Sequence, residues 1–264
     1  MARRTTPIPA RARREEIARL AASSGPASVE ELSRRFEVTP STIRRDLSRL
    51  AEEGALARTY GGAIPLAAGE STLRERESEA HPAKRALGAW ARRQIRPGEH
   101  VLLDGGSTVG ELARELAGAG PEAALHVTAL GLNALHRLEE VEGIELVSPG
   151  GAVRRSSQSF IGPITEAALS RMTFDRAYLS SDGVTAEHGL CEAGPEQTRL
   201  KELMAAQSAE VTVLADSTKL GHRPFHSWAR LPLPWTLVTD DGADPRQLEL
   251  FRRSGVEVQV VDLP

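Results

Sequence analysis

The stretch TPSTIRRDLSRL, residues 39–50, decides how the first part of this chain folds. A threonine that can cap a helix is followed by a proline whose fixed φ suits the first helical turn. Ile43, Leu47 and Leu50 recur at i, i+4 and i+7, which predicts a helix with one buried face. The opposite face carries small hydroxyls and guanidinium groups, a composition that suits the major groove of DNA.

A second helix is predicted immediately before this one. Ser28-Val29-Glu30-Glu31 has the Ser-x-x-Glu spacing of a capping box, and the apolar pattern that follows ends at Phe36. Only residues 37 and 38 separate that helix from the cap at Thr39. Two short helices joined by a tight turn, with basic residues on the outer face of the second, indicate a helix-turn-helix. A solvated surface helix is the alternative for the basic face taken alone.

An extended segment with two glycines follows the helix pair. Leu56–Tyr60 favours a strand, and Gly61-Gly62 turns the chain into Ala63-Ile64, which predicts a hairpin and hence a winged helix. Two side chains of this wing could reach a phosphate or the minor groove, although a hairpin that merely covers the core is the alternative. The candidate DNA-contacting residues of the whole unit are Ser28, Thr39, Ser41, Thr42, Arg44, Arg45, Arg49, Arg58 and Tyr60.

Charge is distributed unevenly along the chain. The net charge is −3, but residues 1–60 contain 12 Arg and 8 acidic residues and carry +4, which leaves −7 for the other 204. A basic head on an acidic body suits a protein that reads DNA with one domain. We expect neither a membrane span nor a secretory signal, because no apolar run is long enough. The single cysteine, Cys191, fits a reducing cytoplasm.

The first part of the chain resembles the DNA-binding signature of the DeoR family of bacterial repressors. The residues that carry the resemblance are Val29-Glu30-Glu31-Leu32, the run from Ser41 to Leu47, and Gly61-Gly62-Ala63. We therefore assign residues 9–64 to a winged helix-turn-helix domain. Residues 65–81 are rich in Ala, Gly, Glu and Arg without a sustained apolar period, and this composition predicts a linker.

Beyond the linker, strands and helices alternate. A helical pattern begins near Pro82, and short apolar runs with amphipathic segments between several of them predict an α/β domain over residues 82–264 with a mostly parallel sheet. The predicted strands are His100–Asp104, Leu125–Leu130, Ile144–Val147, Ala177–Ser180, Val211–Ala215, Thr236–Thr239 and Val256–Val261. The predicted helices include Val109–Ala117, Ile164–Met172, Glu196–Ala206 and Arg246–Arg253.

Polar and glycine-rich loops follow several of these strands, at the ends where ligands of parallel sheets bind. Asp104-Gly105-Gly106-Ser107-Thr108 leads into a helix, so it offers unpaired N–H groups and the positive end of a dipole to an anion such as phosphate. Pro149-Gly150-Gly151 and Ala215-Asp216-Ser217-Thr218-Lys219 follow two other strands. The ammonium of Lys219, one of three lysines in the chain, suits a phosphate monoester. A solvated loop lysine is the alternative.

These loops resemble the sensor domain of the DeoR family, whose fold is related to those of ribose-5-phosphate isomerase and coenzyme A transferases. The candidate ligand-binding residues are Asp104, Gly105, Gly106, Ser107, Thr108, Thr128, Gly150, Gly151, Asp182, Lys201 and Lys219. For Lys201, a solvated helix face is an equal alternative. The histidines near Cys191 lack the spacing of metal ligands, and we expect no metal, no cofactor and no catalytic residue.

The resemblance implies a transcriptional repressor of a sugar-catabolic operon that a phosphorylated sugar releases from double-stranded operator DNA. A homodimer or homotetramer is expected, because protein symmetry usually matches paired operator half-sites. A transcriptional activator is one alternative. The other is an enzymatically active sugar-phosphate isomerase that retains a DNA-binding head, although the loops contain no convincing acid–base pair.

Overall fold

The computed structural model describes residues 9–10, 12–14, 16–17, 27–36, 38–52, 56–59, 62–65, 73–118 and 120–263. The chain divides into two compact units, Met1–Glu70 and Ser71–Pro264, each with its own hydrophobic core. Within the described ranges, no helix combines the length and the apolar character that crossing a membrane requires.

The first unit is a winged helix-turn-helix. Its helices are α1, Val29–Phe36, and α2, Pro40–Glu52, and residues 10, 12–14 and 16–17 are also helical. Its strands are β1, Ala27–Ser28, β2, Leu56–Thr59, and β3, Gly62–Pro65, in the antiparallel order β1-β3-β2. The two predicted helices and the predicted hairpin are confirmed. Strand β1 was not predicted, because its two residues are too few to form a recognisable pattern in the sequence.

The second unit is an α/β domain. Its helices are α3, Leu73–Ser78, α4, His81–Gln94, α5, Ser107–Leu116, α6, Leu132–Leu138, α7, Pro163–Leu169, α8, Pro195–Ala206, and α9, Pro245–Arg253. Its strands are β4, His100–Leu103, β5, Leu125–Ala129, β6, Ile144–Val147, β7, Ala152–Arg154, β8, Ser159–Ile161, β9, Phe174–Leu179, β10, Gly183–Thr185, β11, Gly189–Glu192, β12, Ser208–Leu214, β13, Ser227–Ala229, β14, Thr236–Asp240, and β15, Glu257–Val261.

Seven strands form one parallel sheet in the order β15-β14-β12-β9-β4-β5-β6. These are the seven predicted strands, and the predicted parallel sheet is confirmed. The chain builds β4, β5 and β6 toward one edge, then returns to the other side of β4 with β9 and continues outward. The strand order therefore reverses between β4 and β9.

Two small antiparallel sheets were not predicted. Strands β7 and β8 form a hairpin, and β10, β11 and β13 form a second sheet. Their strands have three or four residues, which is too short for an alternating pattern to stand out.

The predicted linker, residues 65–81, differs from the structure over its second half. Residues 73–78 form α3, and the Leu73 side chain is buried with 3% of its surface exposed. The second unit therefore begins before Pro82, and the prediction of a linker is wrong from residue 73 onward. A single apolar residue anchors this helix, so the stretch has no apolar period that would reveal it.

Candidate functional site

Helix α2 presents the side chains that are predicted to meet DNA. Ile43 and Leu47 are buried in the core, with 0% and 2% of their surface exposed, and Leu50 packs beside them. The outward face has the predicted composition: exposed Ser41, Arg44, Arg45 and Arg49, and half-buried Thr42. The helical spacing thus assigns the core face and the outer face correctly.

Hydroxyl caps begin both helices of the winged domain. The Glu31 N–H donates to Ser28 Oγ over 3.2 Å, and the Ser28 N–H donates to Glu31 Oε2 over 3.0 Å, which completes the predicted capping box. The hydrogen bonds from Ser28 lower the pKa of Glu31 below its usual value. At α2, the Thr42 N–H donates to Thr39 Oγ1 over 3.3 Å. Ser28 and Thr39 therefore have a structural role, and DNA contacts by either stay predictions.

Helix α2, whose outer face is basic, also contains an aspartate, Asp46, which forms a buried ion pair. Asp46 is 4% exposed, and its Oδ2 accepts from Arg13 Nε over 2.7 Å. Arg14 lies 3.7 Å from its other oxygen. Because a buried carboxylate requires a partner, this pair fastens α2 to helical residues 12–14. Asp46 belongs to the core of the domain and not to its DNA face.

The predicted wing contacts involve the β2–β3 hairpin. Arg58 lies on β2 with its side chain outside the described residues, and Tyr60 lies outside them altogether. Their contacts with a phosphate or the minor groove stay predictions, as do the DNA contacts of α2.

In the second unit, polar side chains meet where the strand order reverses. Asp104 follows β4 directly and Ser180 follows β9, and both are buried. The Ser180 N–H donates to Asp104 Oδ2 over 3.0 Å, and the Gly105 N–H donates to Asp104 Oδ1 over 2.7 Å. Ligands of open parallel sheets bind at such a reversal. We therefore regard this edge as the candidate effector site.

A buried ammonium stands at the centre of this edge. Lys201, on α8, donates to the Asp104 carboxylate and to the Ser180 carbonyl, the latter over 2.7 Å, and its Nζ lies 3.2 Å from Glu192 Oε1. Burial lowers the pKa of Lys201, but the charges of Asp104 and Glu192 outweigh burial and raise it above its usual value. Lys201 is therefore charged at neutral pH and holds two carboxyl groups in place. It does not lie on a solvated helix face.

Burial also perturbs the second carboxyl group of this cluster. Glu192 is 4% exposed, and burial raises its pKa well above the usual value, against the opposing effect of Lys201. Gln197 Nε2 donates to Glu192 Oε2 over 2.9 Å.

The β7–β8 hairpin forms one wall of the site. Phe160 N–H donates to Leu130 O over 3.0 Å, and Leu132 N–H donates to Gln158 O over 2.8 Å, so the hairpin is attached to the loop after β5. Gly105 allows the hairpin to approach, because a Cβ at this position would lie 2.4 Å from the Ser159 Cβ. In the Asp104–Thr108 loop, position 105 therefore requires glycine because a larger residue would collide with the hairpin.

Helix α3 closes the site on another side. Arg76 Nη1 lies 2.8 Å from Asp182 Oδ1, and the two side chains are 15% and 11% exposed. Asp182 follows β9 in the same loop as Ser180. Arg76 therefore joins the site to the first helix of the domain, a role that the sequence analysis missed because α3 itself was missed.

All three lysines of the chain donate to backbone carbonyls around this edge. Lys201 donates to Ser180 O, Lys219 donates to Ser181 O over 2.7 Å, and Lys84 donates to Arg76 O. Lys84 is only 2% exposed, and burial, helped by the charge of Lys219, lowers its pKa to about 8. Ammonium groups thus surround the edge that was predicted to bind an anion.

The side chains enclose a cavity of about 30 Å³. Of the predicted ligand-binding residues, Asp104, Gly105, Asp182 and Lys201 form part of its wall. Residues that the prediction omitted also line it, among them Arg76, Ser157, Ser159, Phe160, Ser180, Glu192 and Gln197. The cavity is about as large as the share of liquid volume that one water molecule occupies.

The other predicted residues lie outside this wall. Gly150 and Gly151 have φ values of 70° and 119° and turn the chain into β7, so the residues that reach the cavity are those farther along the hairpin. Thr128 lies on β5, Gly106 precedes α5, and Ser107 and Thr108 are its first two residues. Their contacts with a ligand stay predictions.

Several buried polar atoms around the cavity have no hydrogen-bond partner within the described ranges. They are Arg76 Nε, Ser181 Oγ, Asp182 Oδ2 and Gln197 Oε1, and Thr108 Oγ1 at the start of α5 shares this property. Buried polar groups are rarely left unpaired without a functional reason. Most of these atoms are acceptors, so they suit a ligand rich in hydroxyl donors. No group of three or more metal-ligating side chains is found among the residues that the structure describes.

Sequence models of two domains match the chain. The DeoR-like helix-turn-helix domain matches residues 13–67, and the DeoR C-terminal sensor domain matches residues 79–241.

The chain is also similar to whole proteins over most of their length. The transcriptional regulator YulB of Bacillus subtilis is 32% identical over 253 residues, which are 95% of this chain and 96% of that protein. A putative aga operon transcriptional repressor of Escherichia coli O157:H7 is 32% identical, with 94% and 93% covered. The transcriptional repressor GlcR of Bacillus subtilis is 30% identical, with 89% and 90% covered.

Among solved structures, ribose 5-phosphate isomerase A of Methanocaldococcus jannaschii is similar with a TM-score of 0.38 and 19% identity over 52% of each chain. Similarity at this level contributes nothing to the assignment of function.

Proposed function

Because the chain belongs to the DeoR family of transcriptional regulators, we propose that it is a repressor that a phosphorylated sugar releases from its operator. Release requires the effector to prefer the protein conformation that binds DNA poorly. Two of the similar regulators are named repressors, which favours repression over activation. Binding to paired half-sites favours a homodimer or homotetramer.

The observation that carries the proposal is the division of the candidate effector site into a cationic part and an acceptor-rich part. Lys219 and Lys84 lie beside the loops after β9 and β12, where their two positive charges face the one carboxyl group of Asp216. Helix α5 directs the N-terminal end of its dipole toward the same sheet edge. A phosphate suits this part, because ammonium groups and backbone N–H groups bind dianions.

The acceptor-rich part suits the hydroxyl groups of a sugar. Asp182 and Gln197 each have an oxygen without a partner among the described residues. Each hydroxyl group can donate one hydrogen bond to such an oxygen. Lys201 and Arg76 are already paired with Asp104 and Asp182, so a phosphate would be disfavoured in this part. The ligand would therefore bind in one orientation.

A role as regulator is favoured over isomerase activity. The buried amine at the centre of the site, Lys201, is held in its charged form by Asp104 and Glu192, so it is unsuited to act as a base. Burial raises the pKa of Glu192 to about 8, near the working pH, but its charged neighbour Lys201 cannot complete an acid–base pair with it. Turnover of ribose 5-phosphate by the purified chain would instead support an enzyme.

Calorimetric titration with matched pairs of ligands tests the proposed effector class. The purified chain is titrated with glucose 6-phosphate, fructose 6-phosphate and ribose 5-phosphate, and with glucose, fructose and ribose. We expect at least one phosphate to bind and its free sugar to bind at least tenfold more weakly, since losing a charge-assisted hydrogen bond costs about 1.5–3 kcal/mol. Binding of a free sugar with equal affinity would contradict the phosphate assignment.

A further inference from the structure

Helix α3 is the first described element on the sensor side of residues 66–72, the seven residues between Pro65 of β3 and Leu73. Helix α3 is thus the described part of the sensor domain that is nearest in the sequence to the DNA-binding domain. Seven residues reach at most roughly 25 Å when fully extended. The contacts of α3 are thus well placed to affect the winged domain.

Besides the hydrogen bond from Lys84 to Arg76 O, three hydrogen bonds and the burial of Leu73 hold α3 to the effector site. The Leu73 N–H donates to Ser156 O over 2.7 Å, and Arg76 Nη2 donates to the same carbonyl over 3.4 Å. Arg76 Nη1 pairs with Asp182 over 2.8 Å. Ser156 belongs to the turn of the β7–β8 hairpin, so α3 is attached to the hairpin as well as to the loop after β9.

A ligand cannot enter the site without moving part of this arrangement. The cavity has a volume of about 30 Å³, whereas pockets for small molecules have volumes of roughly 300–1,000 Å³. The β7–β8 hairpin, with three residues in each strand, is a slender wall of the cavity, and α3 is attached to its turn. Sheet strands β4 and β9 on the opposite side are buried in the core and are far more costly to move.

Arg76 also offers a direct contact to the ligand. Its Nε and the Asp182 Oδ2 are buried and have no partner within the described part of the chain. A hydroxyl group between them can accept from the guanidinium and donate to the carboxylate. Such a ligand would bind the same guanidinium that holds the hairpin turn through Nη2.

From these contacts we propose that Arg76 is an effector-contacting residue that couples the effector site to the DNA-binding domain. In the effector-free protein, Arg76 ties α3 to Asp182 and Ser156. Effector binding moves the hairpin turn, redirects the Arg76 guanidinium to the ligand and releases α3. This inference rests on the proposed function, because it describes how occupancy of the same site would reach the operator.

The test compares four full-length proteins: wild type, Arg76→Ala, Arg76→Lys and Arg74→Ala. Arg74 lies on the same helix and is exposed, so it serves as the matched control. The replacement Arg76→Lys keeps a positive charge but provides a single point donor, which cannot bridge Asp182 and Ser156 as a planar guanidinium does. Operator affinity is measured by fluorescence anisotropy with and without glucose 6-phosphate, fructose 6-phosphate or ribose 5-phosphate, and thermal unfolding is recorded for each protein.

A coupling role predicts that the effect of each ligand on the binding of the other is lost, which a purely structural role would not cause. In wild type, the active sugar phosphate should weaken operator binding by ~5–150-fold, and operator DNA should weaken sugar-phosphate binding by the same factor. In Arg76→Ala both factors should approach one, and operator affinity without effector should already be lowered. Arg76→Lys should give intermediate factors, and Arg74→Ala should behave as wild type.

The possible failures are distinguishable. If none of the three sugar phosphates changes the operator affinity of wild type, both the proposed function and this inference are contradicted. If wild type responds and folded Arg76→Ala and Arg76→Lys respond with the same factor, the inference alone is wrong. If Arg76→Ala unfolds at the working temperature, the Arg76→Lys result decides between these outcomes.

Discussion

The backbone N–H of Ser180 lies 3.0 Å from Oδ2 of Asp104, and this hydrogen bond joins the ends of β9 and β4 where the strand order reverses. The same carboxylate accepts from Lys201 on α8. Three elements that are distant in the sequence are thus fixed to one buried aspartate, which positions the walls of the candidate effector site.

Replacing Asp104 with alanine is therefore expected to destabilise the sensor domain. Removing one partner of a buried ion pair costs about 3–5 kcal/mol, because the other charge stays buried. Denaturant unfolding of wild type and Asp104→Ala measures the difference. Asp241→Ala, at an exposed position, should change the free energy of unfolding by less than about 0.5 kcal/mol. Similar stabilities for all three proteins would show that the pair does not hold the site together.

In the winged domain, Leu47→Ala is expected to destabilise the fold by roughly 2–5 kcal/mol through lost burial and a cavity. Leu47 is 2% exposed and packs among the core residues of this domain. Operator binding should fail because the domain unfolds, whereas sugar-phosphate binding by the sensor domain should persist. Thermal unfolding followed by circular dichroism is the measurement. An unchanged melting profile would mean that α2 is oriented differently.

The outward face of α2 can be tested without affecting stability. Arg45→Ala should weaken operator binding by about 1–3 kcal/mol if its guanidinium contacts a base bidentately. Gel-shift titrations of wild type, Arg44→Ala and Arg45→Ala provide the comparison, and Arg252→Ala, at an exposed position of α9 in the sensor domain, serves as the control. Wild-type operator affinity for both Arg44→Ala and Arg45→Ala would remove α2 from the DNA interface.

The sequence predicted those elements best in which burial of one face spaces the apolar residues regularly. The facing of Ile43 and Leu47 follows from a helical period, and the seven strands of the parallel sheet follow from short apolar runs between amphipathic segments. The hairpin β7–β8, the helix that carries Arg76, and the role of Glu192 could not be predicted in this way. Short elements contain too few residues to establish a period, and contacts such as Arg76–Asp182, 106 residues apart in the sequence, depend on tertiary packing that local patterns do not encode.

The pKa of Lys84 predicts a specific dependence of stability on pH. Its folded-state pKa of about 8 lies below the usual value of 10.5, so the unfolded chain binds this proton more tightly. The contribution of Lys84 to stability should therefore rise as pH increases from about 8 to 10.5 and be lost below this window. Chemical denaturation of wild type and Lys84→Met at several pH values isolates the effect, because other groups titrate in both proteins. Parallel pH profiles would contradict the assignment.

The central claim is that a phosphate group on a sugar releases this regulator from DNA, and one titration tests it most directly. A labelled operator fragment, selected from genomic DNA by binding to the purified protein, is released from wild type, Lys219→Arg and Lys219→Ala by increasing concentrations of a sugar phosphate or its free sugar. We expect release by the phosphate alone. The concentration required should rise about tenfold or more in Lys219→Ala, since a charge-assisted hydrogen bond is worth about 1.5–3 kcal/mol, and less in Lys219→Arg. Release by the free sugar at the same concentration as by its phosphate would contradict the claim.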